Sequence, residues 1–207
     1  MCNLYRMTQS VDEVAAWFDA VNDAGGANFG SEIYPGYPGT VVADGRVRVM
    51  NWGFPLQRTG AKGQALKPKP INNARTDKLK SFFWRDSFEQ RRCLIPASGW
   101  AEAEGKKGAM TRSWFFVPDR PVFALAGIWR SSDEWGDSYA MVMTDAVGPA
   151  AEVHSRMPVM LHRDDFACWT GGEPAAAFDL CRGWDGPLGI DRTDQKWARE
   201  RGRKRDG

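Results

Sequence analysis

The feature that most constrains this chain is its succession of short extended runs. Strand-like segments follow one another at residues 93–97, 100–104, 114–117, 122–129 and 138–144. Gly105-Lys106-Lys107-Gly108 reads as a hairpin turn between the second and third of them. Upstream, Arg46-Val47-Arg48-Val49 alternates charged and apolar residues, which gives a strand one wet face and one buried face. No regular βαβ alternation is present. The expected fold is α+β: a strand-dominated single domain of mixed or antiparallel curved sheets with a few peripheral helices.

Helical signals are few. Val11, Val14, Ala15, Phe18 and Val21 keep helical spacing, and Ser10 with Glu13 forms a capping box, so the spacing predicts a helix over 10–22. Short helices are expected at 86–92 and 164–170. Residues 24–40 read as a Gly- and Pro-rich loop. Residues 55–72, rich in Pro, Gly, Lys and Gln, read as a long basic loop, and long loops in compact domains tend to be functional or disordered. The chain of 207 residues suits one domain, taken as 1–190, followed by a tail at 191–207. That tail carries seven basic and four acidic residues and few apolar ones, so it is expected to fray. Ten tryptophans suggest aromatic packing, with a ring or two left for a ligand.

Several function classes are excluded by pattern. No run of about 18 apolar residues occurs, so no membrane span is expected. The first six residues lack the apolar core of a signal peptide, and a cytoplasmic, nucleoid-associated location is expected. Cys2, Cys93, Cys168 and Cys181 form no CxxC pair and lie far in sequence from the two histidines, His154 and His162. No metal and no cofactor is expected, and the cysteines are read as thiols. Net charge is +2, but residues 43–92 carry twelve Lys/Arg against four Asp/Glu, while residues 1–42 carry one against five. Such a segment suits a phosphate-bearing partner, although charge alone also fits an ordinary solvated face.

Cys2 has a chemistry that no internal cysteine has. With Met1 removed it presents an α-amine and a thiol on adjacent carbons. The amine condenses with an aldehyde to an imine, and the thiol closes a five-membered thiazolidine. A free α-amine has a pKa of about 7.7–8.0, so a useful fraction is nucleophilic at neutral pH. Three further segments accompany it: Pro70-Ile71-Asn72-Asn73-Ala74-Arg75, then Cys93-Leu94-Ile95-Pro96-Ala97-Ser98-Gly99-Trp100-Ala101-Glu102, then Val153-His154-Ser155-Arg156-Met157-Pro158. Together with Met1-Cys2, in this order, they resemble the SRAP (SOS response-associated peptidase) domain family.

The resemblance implies a protein that senses abasic sites in single-stranded DNA and captures them as a covalent thiazolidine crosslink, lyase-like in character. It implies that Cys2, Asn73, Glu102 and His154 form the active site, in a monomer. Glu102, on an apolar strand, would move protons; His154 would assist opening of the deoxyribose ring; Asn73, with Asn72 as its neighbour, would hold the Cys2 backbone or the sugar. Arg75 would clamp a phosphate, with Arg156 a second candidate whose alternative is an internal salt bridge. His162 reads as structural or surface. The family name also implies peptide hydrolysis, including self-cleavage ahead of the cysteine.

Two departures stand out. The common M-C-G-R start is Met1-Cys2-Asn3-Leu4 here, so the arginine expected at position 4 is missing, with Arg6 a candidate for its place and no replacement at all the alternative. An aromatic pair that often follows W-G is absent after Trp52-Gly53-Phe54-Pro55. Trp52, Phe54 and Pro38 are left to contact bases, and stacking is worth roughly 1–3 kcal/mol per base. Two other readings stay open: an N-terminal-nucleophile cysteine peptidase or amidohydrolase, and a non-catalytic single-stranded DNA-binding module.

Overall fold

A computed structural model of the chain describes residues 2–25 and 30–197. The chain begins with β1 (Tyr5–Arg6), α1 (Val11–Phe18), β2 (Val21–Asn22) and β3 (Glu32–Ile33). Next come β4 (Pro38–Ala43), β5 (Arg46–Trp52), β6 (Phe54–Thr59), β7 (Ala65–Ile71), β8 (Asn73–Arg75) and α2 (Arg85–Gln90). A strand-rich stretch follows: β9 (Arg92–Ala97), β10 (Gly99–Glu104), β11 (Thr111–Phe116), β12 (Phe123–Ser132) and β13 (Gly136–Asp145). The chain ends with α3 (Pro149–Val153), β14 (Arg156–Pro158), β15 (Met160–Leu161), α4 (Phe166–Gly171), α5 (Pro174–Asp179) and β16 (Gly189–Lys196). The fold is α+β and strand-dominated, with its few helices short.

Two sheets make the body. One runs β16-β11-β10-β1-β3 and the other β14-β13-β12-β9-β4-β5-β2, with β15 and β8 joining the second at β12 and β13. The second sheet closes on itself, because β5 also pairs in parallel with β13, Ser138 opposite Asn51 and Tyr139 opposite Trp52. Closure removes exposed edges and encloses a core, and Trp52, Ile95, Leu125 and Met141 lie wholly inside. β4 and β5 are joined by Asp44-Gly45 alone; both residues have positive φ, the backbone that a two-residue hairpin matched to strand twist needs.

The sheets meet at a pair of tyrosines. Tyr5 on β1 and Tyr139 on β13 are wholly buried and hydrogen-bond through their hydroxyls at 2.5 Å. Trp52 packs edge-on against Tyr5, with ring centroids 5.0 Å apart. Both hydroxyls sit over Gly39 of β4, where any Cβ would collide with them.

Differences from the sequence reading have local causes. Ser10 and Glu13 do form the capping box, but α1 ends at Phe18 because Asp19 turns left-handed, with φ 53°. Val21 and Asn22 then pair in parallel with Arg46 and Val47 instead of continuing the helix. The loop expected at 24–40 contains β3 and the start of β4. The expected loop at 55–72 is an antiparallel ribbon of β6 and β7, separate from both sheets. Residues 191–196, expected to fray, belong to β16 and pair with β11; the rest of the expected tail, from 198, lies outside the described residues.

Replacing Gly39 with alanine is expected to cost about 1–3 kcal/mol, as overpacking of a filled core does. Urea denaturation followed by circular dichroism reads this as a lowered midpoint; an unchanged midpoint would show that the tyrosine pair tolerates displacement.

Candidate active site

The site is built on the segment that precedes β1. Leu4 accepts a hydrogen bond from the Ala101 amide at 2.9 Å, extending the β1–β10 ladder one step beyond Tyr5. Cys2 is fully buried, and its Sγ donates to the Leu4 carbonyl at 3.5 Å. The Cys2 carbonyl accepts from two side chains, Asn72 Nδ2 at 2.9 Å and Asn73 Nδ2 at 2.8 Å. Asn72 also reaches Asn3 Oδ1, at 3.3 Å. Both asparagines are fixed from behind. The Asn72 carbonyl accepts from the Trp52 indole at 3.2 Å and from the Met141 amide at 2.9 Å, and Asn73 lies opposite Met141 in the parallel pairing of β8 with β13. Asn73 Oδ1 is buried and accepts no hydrogen bond among the described residues. A buried carbonyl oxygen left so is costly unless a donor arrives.

Glu102 sits on β10, only 3% exposed. Loss of hydration disfavours its charged form and pushes its pKa from the usual 4.5 to about 7, while the positive charge of the chain's amino terminus pulls the other way. Burial first, and the Glu102 charge second, push the Cys2 thiol well above its ordinary value. His154 follows α3 directly. Its Nδ1 lies 3.0 Å from the Arg156 amide and 3.3 Å from the Arg156 carbonyl, so the backbone of Arg156 orients the ring. Burial lowers its pKa, so the ring is neutral at pH 7.

A clamp that the sequence reading missed holds α3 against β10. Arg192 on β16 grips Glu104 at 3.0 and 3.1 Å and reaches Glu152 at 2.8 Å. Glu104 also accepts from the Ser113 hydroxyl. Glu104 stands two residues after Glu102, and Glu152 two before His154. The spacing is visible in the sequence, but Arg192 lay in the expected tail.

The residues expected to contact DNA are scattered, and most are engaged internally. Arg75 forms a two-pronged pair with Asp77, at 2.9 and 2.8 Å. Arg156 pairs with Asp145 at 3.1 Å. Arg6, half-buried, lies over the Trp114 ring at 4.5 Å. Pro38 is half-buried at the start of β4. Trp52 is a correction: it is 0% exposed, as is Phe54, so neither ring reaches a base. Among the described residues, the aromatic rings that do face outward are Tyr37 and, at 95% exposure, Phe82, which sequence reasoning did not single out. His162 pairs with Asp185 at 2.7 Å and stacks on Trp184.

Among the described residues, no group of three His, Cys, Asp or Glu side chains converges as a metal site would require, and no helix is long and apolar enough to cross a membrane. The four cysteines are unbridged.

With this geometry in view, the family model of SOS response associated peptidase (SRAP) matches residues 1–186. Among solved structures, a Bordetella bronchiseptica protein superposes with TM-score 0.78 at 20% identity, covering 93% of this chain and 99% of that one. A Bacteroides thetaiotaomicron protein gives 0.76 at 19%, covering 92% and 91%. A phage-related protein from Bordetella bronchiseptica gives 0.67 at 18%, covering 94% and 95%. At these identities the likeness is one of fold. No curated protein matches the chain.

The raised pKa of Glu102 has a consequence for stability. A carboxyl that ionises at about 7 when folded and near 4.5 when unfolded stabilises the fold fully below about 4.5, and that contribution is lost as pH rises through 7. Glu102→Gln removes the loss. Its melting temperature relative to the parent is expected to be higher at pH 8 than at pH 5 by calorimetry; a pH-independent difference would place the Glu102 pKa near its ordinary value.

Proposed function

The chain belongs to the SRAP family, and from that premise we propose that it captures abasic sites in single-stranded DNA covalently through Cys2. Family membership supports an abasic-site-related role at the level of the family. The observation that carries the reading for this chain is the pair of amide hydrogen bonds from Asn72 and Asn73 to the Cys2 carbonyl. They hold the backbone of a buried residue close to a carboxyl whose pKa burial pushes up to about 7. A buried internal cysteine needs no such support; a cysteine whose own amine reacts needs its backbone fixed.

Once Cys2 is the amino-terminal residue, its amine attacks C1′ of the ring-opened abasic sugar. The C1′–N bond forms and the aldehyde oxygen becomes a hydroxyl. Glu102, close to half-protonated at neutral pH, donates the proton that lets this hydroxyl leave as water and takes back the proton that the nitrogen then sheds, giving the imine. The Cys2 S–H then adds across C=N: sulfur bonds to C1′ and the nitrogen takes the proton. The product is a thiazolidine plus one water. Neutral His154 exchanges protons with the sugar oxygens as the ring opens. Asn73 Oδ1 accepts from the attacking amine or from a sugar hydroxyl.

The electrostatics favour this order of events. Burial and Glu102 disfavour the thiolate, so the sulfur waits as a thiol while the amine attacks. The same feature argues against general amide hydrolysis by Cys2, since a thiol held protonated is a poor nucleophile. Self-removal of whatever precedes Cys2 is a separate reaction that the family name implies, and one turnover of it would suffice.

The test is a denaturing gel of purified protein mixed with single-stranded DNA carrying one abasic site. A shifted band is expected with damaged DNA only, lost in Cys2→Ala, and formed at least tenfold more slowly in Glu102→Gln, as loss of a general acid implies. A Cys2→Ala protein that still shifts the damaged DNA would overturn the proposal.

A further inference from the structure

The ribbon of β6 and β7 is not needed to close either sheet. It leaves the body at Gly53, rooted by Phe54, which packs against Trp84 and Phe83 beneath the Arg130 guanidinium. From Ile71 back to Ala65, six steps of about 3.4 Å carry it about 20 Å outward. Its inner end is the candidate active site, since Ile71 is followed directly by Asn72 and Asn73. Past Pro55 nearly every residue is exposed, including Leu56 and Leu66.

The excess charge of residues 43–92 divides unevenly between body and ribbon. On the body, Arg46 pairs with Asp23, Arg48 with Asp44, Arg75 with Asp77 and Arg91 with Asp86. Arg92 turns inward to the Phe88 and Trp169 carbonyls. On the ribbon, Arg58, Lys62, Lys67 and Lys69 pair with no carboxylate among the described residues, and residues 54–71 contain no Asp or Glu. Among the described residues, the ribbon's hydrogen bond to a carboxylate is from Gln57 to Glu134. Lys67 and Lys69, two apart on one strand, share a face. Lys78, Lys80 and Arg85 form no salt bridge among the described residues and flank Phe82 in sequence, Lys80 lying over the Phe178 ring at 4.8 Å; Phe83, the neighbour of Phe82, packs at the ribbon's root.

We infer that the ribbon is an arm that follows the phosphate backbone of single-stranded DNA away from the site, with Phe82 at its root as a stacking surface for a base. The inference rests on the reading of a single-stranded DNA ligand given above. Unpaired cations on a projecting ribbon release counterions when they meet phosphates, and an exposed aromatic among cations suits a base face. The arm supplies stacking at a position different from the aromatic pair that the W-G segment here lacks.

The experiment measures binding of a labelled, undamaged single-stranded oligonucleotide by anisotropy across a range of salt concentrations, in the Cys2→Ala background so that no bond forms. Each phosphate contact contributes about 0.7 to the slope of log affinity against log salt for single strands. Combined Lys62→Gln, Lys67→Gln and Lys69→Gln is expected to lower that slope by about 2. Phe82→Ala is expected to weaken binding about tenfold with the slope unchanged. Arg46→Gln with Arg48→Gln, on the body, is the control and leaves the slope as it was. A slope unmoved by the three lysine substitutions overturns the arm, whatever the fate of the capture reaction. A protein that fails to capture abasic DNA yet loses slope in this way keeps the arm and loses the capture reading.

Discussion

The parallel pairing of β5 with β13 is the constraint from which the rest of this structure follows. It turns an open sheet into a closed one and brings Trp52 beside Tyr139. β13 also takes β8 alongside it in parallel, so Asn73 is locked opposite Met141. The Trp52 indole, at the end of β5, then reaches the Asn72 carbonyl. Two asparagines adjacent in sequence are thereby aimed at a single backbone oxygen, that of Cys2. The tyrosine pair over Gly39 joins the other sheet, with β1 and β10, to the same place. The aromatic interior is thus also the scaffold of the site, and rings that the sequence offers for a ligand are used up inside.

Electrostatics complete what the geometry begins. Burial alone moves Glu102 into the range where it both gives and takes protons at neutral pH, and Glu102 in turn discourages ionisation of the thiol beside it. His154 is kept neutral by partial burial and is oriented by the backbone that follows it. The proton inventory of the pocket at pH 7 is therefore a thiol, a half-titrated carboxyl and a neutral imidazole. That set suits condensation chemistry, in which water must leave, better than attack by a preformed thiolate. The Arg192 clamp links the strand bearing Glu102 to the helix preceding His154 from the outer surface, where exposed ion pairs contribute little energy but fix an orientation.

What the sequence made legible was local. The capping box of α1, the period-2 alternation of β5 and the succession of strands from β9 to β13 depend on near neighbours, and they stand where the pattern puts them. The end of α1 was not legible, because Val21 continues the helical period while pairing with a distant strand decides its conformation. The ribbon was hidden by composition: its prolines, lysines and glycines read as loop, and only the antiparallel pairing of β6 with β7 makes them strands. The distinction between paired and unpaired cations was equally out of reach. Asp23 and Arg46 are far apart in sequence, so the neutral body and the charged ribbon share one sequence-level excess. At the candidate site, the order of motifs proposed Cys2, Asn73, Glu102 and His154, but the contacts of Asn72 and of the buried Trp52 required the three-dimensional pairing.

In the proposed capture, both the amine and the sulfur of Cys2 become bonded to one carbon of the abasic sugar. Peptide mass spectrometry of nuclease-trimmed adduct, after treatment with a thiol-alkylating reagent, tests it most directly. The sugar remnant is expected on the peptide beginning with Cys2, with a mass reflecting loss of one water and with the Cys2 sulfur refusing the alkylating reagent. A remnant on a lysine, or on Cys2 with a sulfur that still alkylates, would contradict it.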